Sequence, residues 1–123
     1  MPTPRRVLVV DDNRDTAESI AELLRISGHD VHVAYDGLSA IATALSIRPE
    51  FVFLDIGLPG LDGYAVARRL RSEPGLESTR IIAVTGYGTE ADRQKGMEAG
   101  FDQHLLKPVD PAFLASLLGG YRE

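Results

Sequence analysis

The chain has 123 residues, no cysteine, and 18 acidic against 13 basic side chains, for a formal net charge of −5. This length suits one domain with a single core, and the absence of cysteine excludes disulfides and thiolate metal sites. The acidic balance argues against direct nucleic-acid binding, which needs a basic face. Apolar runs are far shorter than the ~18 residues of a membrane span, and the N-terminus lacks a signal-peptide apolar segment. We therefore expect a soluble, cytoplasmic protein.

Short apolar runs alternate along the chain with longer amphipathic segments. Strands are predicted at 7–10, 31–34, 51–55, 81–84 and 103–106. Helices are predicted at about 13–27, 37–48, 63–72, 89–99 and from about 113 to 118. The run at 51–54, which ends on Asp55, has the composition of a central strand buried on both faces.

Apolar side chains at helical spacing mark the faces that these helices bury. The predicted buried positions are Ala17, Ile20, Ala21, Leu24, Ala40, Ile41, Ala44, Leu45, Val66, Ala67, Leu70, Phe113, Leu114, Leu117 and Leu118. The segment 89–99 is the exception, because it contains Gly96 and has almost no apolar residues apart from Ala91 and Met97. We expect that helix to be loosely held and largely exposed.

The order of the elements predicts the fold class. Five strands that alternate with five helices through short connections indicate an α/β fold, a doubly wound parallel sheet with helices on both faces. No linker or low-complexity segment interrupts the pattern. We interpret residues 1–123 as one domain with a core at about 6–118 and a frayed C-terminal end.

Polar residues follow the strands and define a candidate site: Asp11, Asp12, Asp55, Thr85 and Lys107. The carboxyl ends of parallel strands share one edge of the sheet, where ligands bind. Three neighbouring carboxylates repel one another unless a cation lies among them, and hard oxygen ligands select Mg²⁺ or Mn²⁺. Taken singly each residue has an ordinary explanation, such as a turn, a helix cap or a solvated charge.

The same set suits a phosphoryl group, whose charge would be held by the metal, the lysine and the threonine hydroxyl. A central carboxylate can also serve as the nucleophile and form an acyl phosphate. Asp55 fits this role best because it lies at the end of the predicted middle strand.

Several motifs in order make the chain resemble the receiver domain of two-component response regulators, from about residue 7 to 118. They are DD at 11–12, LPGLDG at 58–63 after the Asp55 strand, VTG at 84–86, AGFD at 99–102 and LKP at 106–108. The sequence around Tyr87 and from Gly100 to Asp110 is most similar to receivers attached to hybrid histidine kinases. The resemblance implies a flavodoxin-like fold of the receiver type.

The resemblance also implies roles for individual residues. Asp55 is the expected phosphoacceptor, with Mg²⁺ held by Asp12, by Asp11 with or without an intervening water, by Asp55 and by the backbone carbonyl of Gly57. Lys107 and Thr85 are expected to bind the phosphoryl oxygens. A cis peptide bond between Lys107 and Pro108 is expected as well.

Some positions depart from the family pattern. His104 replaces the usual Tyr or Phe partner of the switching Thr85, which suggests weak coupling or sensitivity to pH. Tyr87 could shield the acyl phosphate from water, in which case Tyr87→Ala would change the dephosphorylation rate. Gly86 stands where the family often has Ala after the switching threonine, and glycine is expected to make the backbone of that loop more mobile.

The implied function is a phosphorelay receiver that accepts a phosphoryl group from a histidine kinase or a histidine phosphotransfer protein. It signals through its fourth helix, fifth strand and fifth helix, and it is expected to be a monomer or weak dimer. It would not be an enzyme beyond its own phosphorylation and slow dephosphorylation.

Three other functions match the sequence less well. A Mg²⁺-dependent phosphohydrolase would need a substrate-binding domain and a second Asp two residues after Asp55, where Gly57 stands. Residues 86–91 match the dinucleotide fingerprint G-x-G-x-x-A, but in the wrong βα unit. A receiver-like module that never takes phosphate would have no need of all five site residues.

Overall fold

The computed structural model describes residues 4–58, 60, 62–86, 90–107 and 109–119. The strands are β1 (Arg6–Val10), β2 (Asp30–Ala34), β3 (Phe51–Asp55), β4 (Arg80–Thr85) and β5 (Gln103–Leu106). The helices are α1 (Arg14–Ile26), α2 (Gly37–Ile47), α3 (Gly63–Arg71), α4 (Glu90–Ala99) and α5 (Pro111–Gly119). All ten predicted elements are present, with bounds within two residues of those expected.

The five strands form one parallel sheet in the order β2-β1-β3-β4-β5. Alternate residues of each strand face opposite sides, as the pleat requires. Leu8, Val52 and Ile81 contribute to one core, while Val7, Phe51 and Ile82 contribute to the other. The doubly wound parallel sheet is therefore confirmed, with β3 at its centre.

Helices cover both faces of the sheet. Buried residues of α2, α3 and α4 belong to one hydrophobic core, and buried residues of α1 and α5 belong to the other. Every residue of β3 is buried. This double coverage explains why β1, β3 and β4 contain continuous apolar runs rather than alternating ones.

Side-chain caps fix where three helices begin. Asn13 accepts a hydrogen bond from the Thr16 N–H at 3.0 Å and caps α1. Asp36 and Asp62 cap α2 and α3 in the same way. Because these caps follow directly after strands or short turns, they keep the connections to the next helix short.

The predicted stripe of α5 is wrong at one position. Leu114 and Leu118 are buried, but Phe113 is 45% exposed. Residues 114 and 118 lie one above the other on the helix, and position 113 is turned about 100° away from them. Ile20, Ile41, Leu45 and Leu117 are only partly buried.

α4 is largely exposed where its side chains are described, as predicted. Met97 is 73% exposed, whereas Gly96 and Ala99 are buried. A Cβ at Gly96 would lie 2.3 Å from Cε1 of His104. The glycine thus has a packing role, since it lets α4 approach the side chain of His104 on β5.

Among the described residues, no helix is both long enough and apolar enough to cross a membrane.

Candidate functional site

Three carboxylates meet where β1 and β3 end. Asp11, Asp12 and Asp55 each offer one oxygen atom, and these oxygens all lie within 4.8 Å of one another. Asp11 and Asp55 are buried, while Asp12 is exposed. The parallel register that places Val10 beside Leu54 brings the following residues of the two strands together.

Asp55, the last residue of β3, is held at both carboxylate oxygens. Its Oδ1 accepts a hydrogen bond from the Gly57 N–H at 3.0 Å, and its Oδ2 lies 3.2 Å from Nζ of Lys107. Its side chain is 9% exposed. The carboxylate is therefore oriented and partly shielded from water.

Lys107 lies between two of the carboxylates. Its Nζ is 3.3 Å from Oδ2 of Asp11 as well as 3.2 Å from Oδ2 of Asp55. Its backbone N–H donates to the carbonyl oxygen of Thr85 at 2.8 Å, which fixes the chain after β5 against the end of β4. Burial lowers the pKa of Lys107, but the Asp55 and Asp11 carboxylates outweigh it, so the pKa is raised and the ammonium form is favoured.

Asp11 contacts both the turn after β1 and Lys107. Its Oδ1 accepts from the Asn13 N–H at 2.9 Å, and its Oδ2 faces Lys107. Burial nevertheless raises the pKa of Asp11, with a smaller contribution from the Asp55 charge, against the lowering effects of Asn13 and Lys107. Three carboxylates facing one ammonium leave an excess of negative charge, which a divalent cation would offset.

The remaining predicted site residues lie at the same edge. Thr85 is the buried last residue of β4, and Gly57 lies in the turn after Asp55. The structure thus places all six predicted site residues at the same edge of the sheet. Tyr87 and Pro108 lie outside the described residues. The shielding role of Tyr87 and the cis peptide bond before Pro108 therefore stay predictions.

Gly63 supports the site and was given no role in the sequence analysis. Its N–H donates to the carbonyl oxygen of Ile56 at 3.1 Å. A Cβ at this position would lie 2.6 Å from Cα of Ile56 and 2.9 Å from the carbonyl oxygen of Asp55. Only glycine lets α3 begin so close to the backbone that carries Asp55. The available signal was its position directly after the cap residue Asp62.

A cavity of about 550 Å³ opens beside the carboxylates, between α1 and the segment that follows β5. Its lining comprises Asp11, Asp15, Thr16, Ser19, Ile20, Val84, Lys107 and Val109. The cavity gives access to the buried side of the site.

His104 occupies the position where the family often has a larger aromatic. Its ring meets that of Phe101 edge-on, with centroids 5.8 Å apart, and Phe101 in turn meets Tyr64 at 6.1 Å. His104 is half-buried. The ring thus packs against Gly96 of α4 and against Phe101, and Phe101 in turn contacts Tyr64 of α3.

Comparison with known proteins agrees with this geometry. The family model for the response regulator receiver domain matches residues 7–118, so the chain belongs to that family. It is 37% identical over 112 residues to the DNA-binding response regulator MtrA of Mycolicibacterium paratuberculosis, covering 91% of this chain and 48% of that protein. It is 32% identical over 105 residues to the regulator RpaA of Synechocystis, covering 85% of this chain and 44% of RpaA. The chain therefore spans less than half the length of these two curated relatives.

Solved structures give the same result. The chemotaxis protein CheY4 of Vibrio cholerae superimposes with a TM-score of 0.89 at 27% identity, covering 94% of this chain and 97% of that one. The receiver domain of a sensor histidine kinase from Pseudomonas aeruginosa gives a TM-score of 0.86 at 31% identity, covering 97% and 98%. That structure holds a magnesium ion coordinated in its active-site cleft. The receiver fold is thereby confirmed.

Proposed function

We propose that this protein is a phosphoacceptor receiver in which Asp55 takes a phosphoryl group from a phosphohistidine donor in a Mg²⁺-dependent reaction. The observation that carries the proposal is the arrangement around Asp55. Two further carboxylates lie within metal-binding distance of it, and the Lys107 ammonium lies 3.2 Å from its Oδ2. A nucleophile, a cation site and a counter-charge therefore coincide at one strand end.

The proposed transfer is an in-line displacement. A carboxylate oxygen of Asp55 attacks the phosphorus, the bond from phosphorus to the imidazole nitrogen breaks, and the imidazole leaves with the electron pair. Lys107 then exchanges its contact with the carboxylate for one with the phosphoryl oxygens, and the Thr85 hydroxyl donates to them. Slow attack of water on the acyl phosphate returns the carboxylate and inorganic phosphate.

The donor set fits a hard divalent cation. Among the described residues, the acidic cluster offers carboxylate oxygens, which are the ligands that such a cation prefers. Because Asp11 is buried, its negative charge is costly unless a cation balances it. Asp11, Asp12, Asp55 and the backbone carbonyl of Gly57 would hold Mg²⁺ or, alternatively, Mn²⁺. When bound, the metal supplies positive charge to the phosphoryl oxygens during transfer.

The expected partner is a histidine kinase or a histidine phosphotransfer protein, and the response is a change in α4, β5 and α5 that a downstream partner recognises. Attachment to a hybrid histidine kinase stays a prediction. MtrA is a DNA-binding regulator, whereas the Pseudomonas receiver belongs to a sensor histidine kinase. Relatives and structural neighbours thus include both arrangements.

The decisive experiment is the intact mass of the protein after incubation with acetyl phosphate, with Mg²⁺ and with a chelator. We expect one added phosphoryl group on the wild type with Mg²⁺ and none on Asp55→Asn. Asp30→Asn is a matched control, because Asp30 begins β2 at the other edge of the sheet and is exposed. It should be modified like the wild type.

Acetyl phosphate can be a poor donor for a competent receiver, so a negative result is followed by titration with beryllofluoride. Failure of the wild type to respond to either reagent would contradict the proposal. Equal modification of Asp55→Asn would place the acceptor elsewhere.

A further inference from the structure

A second cavity lies at the opposite edge of the sheet, where the strands begin. It measures about 460 Å³, and its lining includes Arg5, Arg6, Arg48, Glu50, Gly75 and Arg80. Four of these residues are arginines and one is a glutamate. In a chain of net charge −5, this is a local concentration of positive charge.

The parallel sheet explains why the arginines come together. Arg6 begins β1 and Arg80 begins β4, and both strands flank the start of β3. Arg80 pairs with Phe51 in the ladder, and Val7, directly after Arg6, pairs with the same residue. Arg48 is the C-cap residue of α2, and only Pro49 and Glu50 separate it from β3. Residues distant in sequence are thereby placed around one opening.

Glu50 does not neutralise the whole cluster. Its Oε2 lies 3.5 Å from Nη1 of Arg5, and its Oε1 accepts from the backbone N–H of Arg6 at 3.2 Å. It therefore balances one arginine, Arg5. The guanidinium groups of Arg6 and Arg48 have no other carboxylate among the described residues that line this cavity.

Arg48 is held in an unusual backbone conformation. It is the one non-glycine residue with positive φ in the described part of the chain, at φ 52° and ψ 66°. Glycine or asparagine is the ordinary choice at such a left-handed helix end. An arginine here costs backbone energy, and this kind of strain is concentrated at functional positions.

The head group of Arg48 is also fixed in place. Its Nη1 donates to the carbonyl oxygen of Pro74 at 2.7 Å. Gly75 makes room for it, because a Cβ at Gly75 would lie 2.1 Å from the same nitrogen. The guanidinium is therefore pre-positioned, which lowers the entropy cost of binding a ligand.

Donor groups remain for a ligand. Nε and Nη2 of Arg6 donate to the carbonyl oxygen of Arg48 at 3.3 and 3.2 Å. Within the described residues, Nη1 of Arg6 and both Nε and Nη2 of Arg48 make no hydrogen bond or ion pair. A planar guanidinium group can bind two phosphate oxygens at once through parallel N–H donors. No carboxylate of the described lining residues forms such a two-point contact with Arg6 or Arg48.

We propose that this cavity binds a small anion bearing two or more phosphate groups, through Arg6, Arg48 and Arg80. Several guanidinium groups around an opening of this volume match a diphosphate better than a single monoanion. The free inorganic anion and a nucleoside diphosphate share this chemistry. The site is separate from the phosphoacceptor edge and goes beyond the proposed function.

The test is calorimetric titration of the full chain with inorganic pyrophosphate in buffer of low ionic strength without divalent metal, with amide chemical shifts mapped in parallel. We expect saturable binding and shifts confined to residues near 5–6, 48–51 and 75–80. Arg48→Gly and Arg80→Gln should each weaken binding by about tenfold or more. Arg48→Gly also suits the left-handed backbone, so lost binding would not follow from unfolding.

Arg14→Gln is the control, because it removes one positive charge from the start of α1 at the other edge of the sheet. It should change the affinity by less than about twofold. A parallel titration with ADP distinguishes the sources: affinity about tenfold above that of pyrophosphate indicates a nucleotide, and equal affinity indicates the inorganic anion. The proposal would be overturned if pyrophosphate showed no saturable binding, or if Arg48→Gly bound it with wild-type affinity. It would also be overturned if Arg14→Gln lost as much affinity as the cavity variants, or if the chemical-shift changes centred on Asp55 and Lys107.

Discussion

Gly63 sets the distance between the start of α3 and the strand end that carries Asp55. Because a Cβ there would lie 2.6 Å from Cα of Ile56, Gly63→Ala forces backbone atoms apart. We expect the free energy of unfolding to fall by about 2 to 3 kcal/mol, as for overpacking of a rigid region. Urea unfolding followed by circular dichroism measures the change.

Gly86→Ala is the matched control for this prediction. Gly86 is exposed, and a Cβ there would meet no atom of the described residues within 4 Å. Its substitution should alter the free energy of unfolding by less than about 0.5 kcal/mol. Equal stabilities of the two variants would show that α3 can shift without cost.

His29 gives the fold a pH dependence. It is buried, and its Nδ1 accepts a hydrogen bond from the Arg5 N–H at 3.0 Å. Burial lowers the pKa of His29 from 6.5, the Arg5 charge lowers it further, and Glu50 partly opposes them. The folded state therefore resists a proton that the unfolded state accepts.

The sign of the effect follows from this difference. Above pH 6.5 both states leave His29 neutral, and stability is fully present. As the pH falls from there towards the lowered pKa of the folded state, the unfolded chain gains protons and stability is lost. In His29→Gln, whose amide oxygen can still accept from Arg5, urea unfolding should show a shallower decline in this range. Parallel curves for the two proteins would contradict the prediction.

Arg71, at the end of α3, joins three segments of the chain. Its guanidinium donates to the carbonyl oxygens of Gly100 at 2.9 Å and Thr79 at 2.6 Å, and lies 2.5 Å from Oδ2 of Asp102. The same carboxylate oxygen accepts from the Ile81 N–H at 2.8 Å. α3, the start of β4 and the turn between α4 and β5 are thereby held together.

Arg71→Ala should lower the free energy of unfolding by about 2 kcal/mol, because it removes these bonds and leaves carbonyl groups without a donor. Arg68→Ala is the control on the same helix. Arg68 is exposed, and its side chain makes no hydrogen bond or ion pair within the described residues. A similar loss in both variants would attribute the effect to the removal of a positive charge from the last turn of α3 instead.

Periodicity predicted the helices well but not every buried face. It placed Phe113 in the stripe of α5, although Leu114 and Leu118 make the contact with the sheet and Phe113 is 45% exposed. It predicted the exposure of α4 but not the contact of Gly96 with His104. Both findings depend on which neighbour a helix packs against, and the periodicity of a single helix does not contain that information.

The molecule as a whole separates charge along its strands. Carboxylates cluster where the strands end, and arginines cluster where β1 and β4 begin. At the acidic edge, Mg²⁺ bound by the folded chain should raise its free energy of unfolding by about 1.4 kcal/mol at roughly ten times the dissociation constant. Urea unfolding with MgCl₂ and with NaCl of equal ionic strength measures this difference.

Asp12→Asn should lose most of this stabilisation, because it removes one predicted ligand without burying a new group. Asp12 is exposed, so the variant should still fold. Glu22→Gln makes the same change of charge on the exposed face of α1 and should respond to Mg²⁺ like the wild type. Loss of the response in both variants would indicate general screening of negative charge.

The sequence alone determined the fold class and the candidate site. Short apolar runs, cap residues and short connections indicate a parallel sheet covered on both faces, and such a sheet gathers the residues that follow its strands. For this reason Asp11, Asp12, Asp55, Thr85 and Lys107 could be grouped without coordinates. The resemblance to receiver domains added their expected roles.

Tertiary structure decided what depends on distances between elements. The close approach of Gly63 to Ile56, the links made by Arg71 and the fit of Gly96 against His104 arise from the packing of segments far apart in the chain. The arginine cavity is of the same kind, because Arg6, Arg48 and Arg80 meet only once the strands are in register. Local sequence patterns record which residues are buried, whereas contacts between elements are fixed only when the chain is packed.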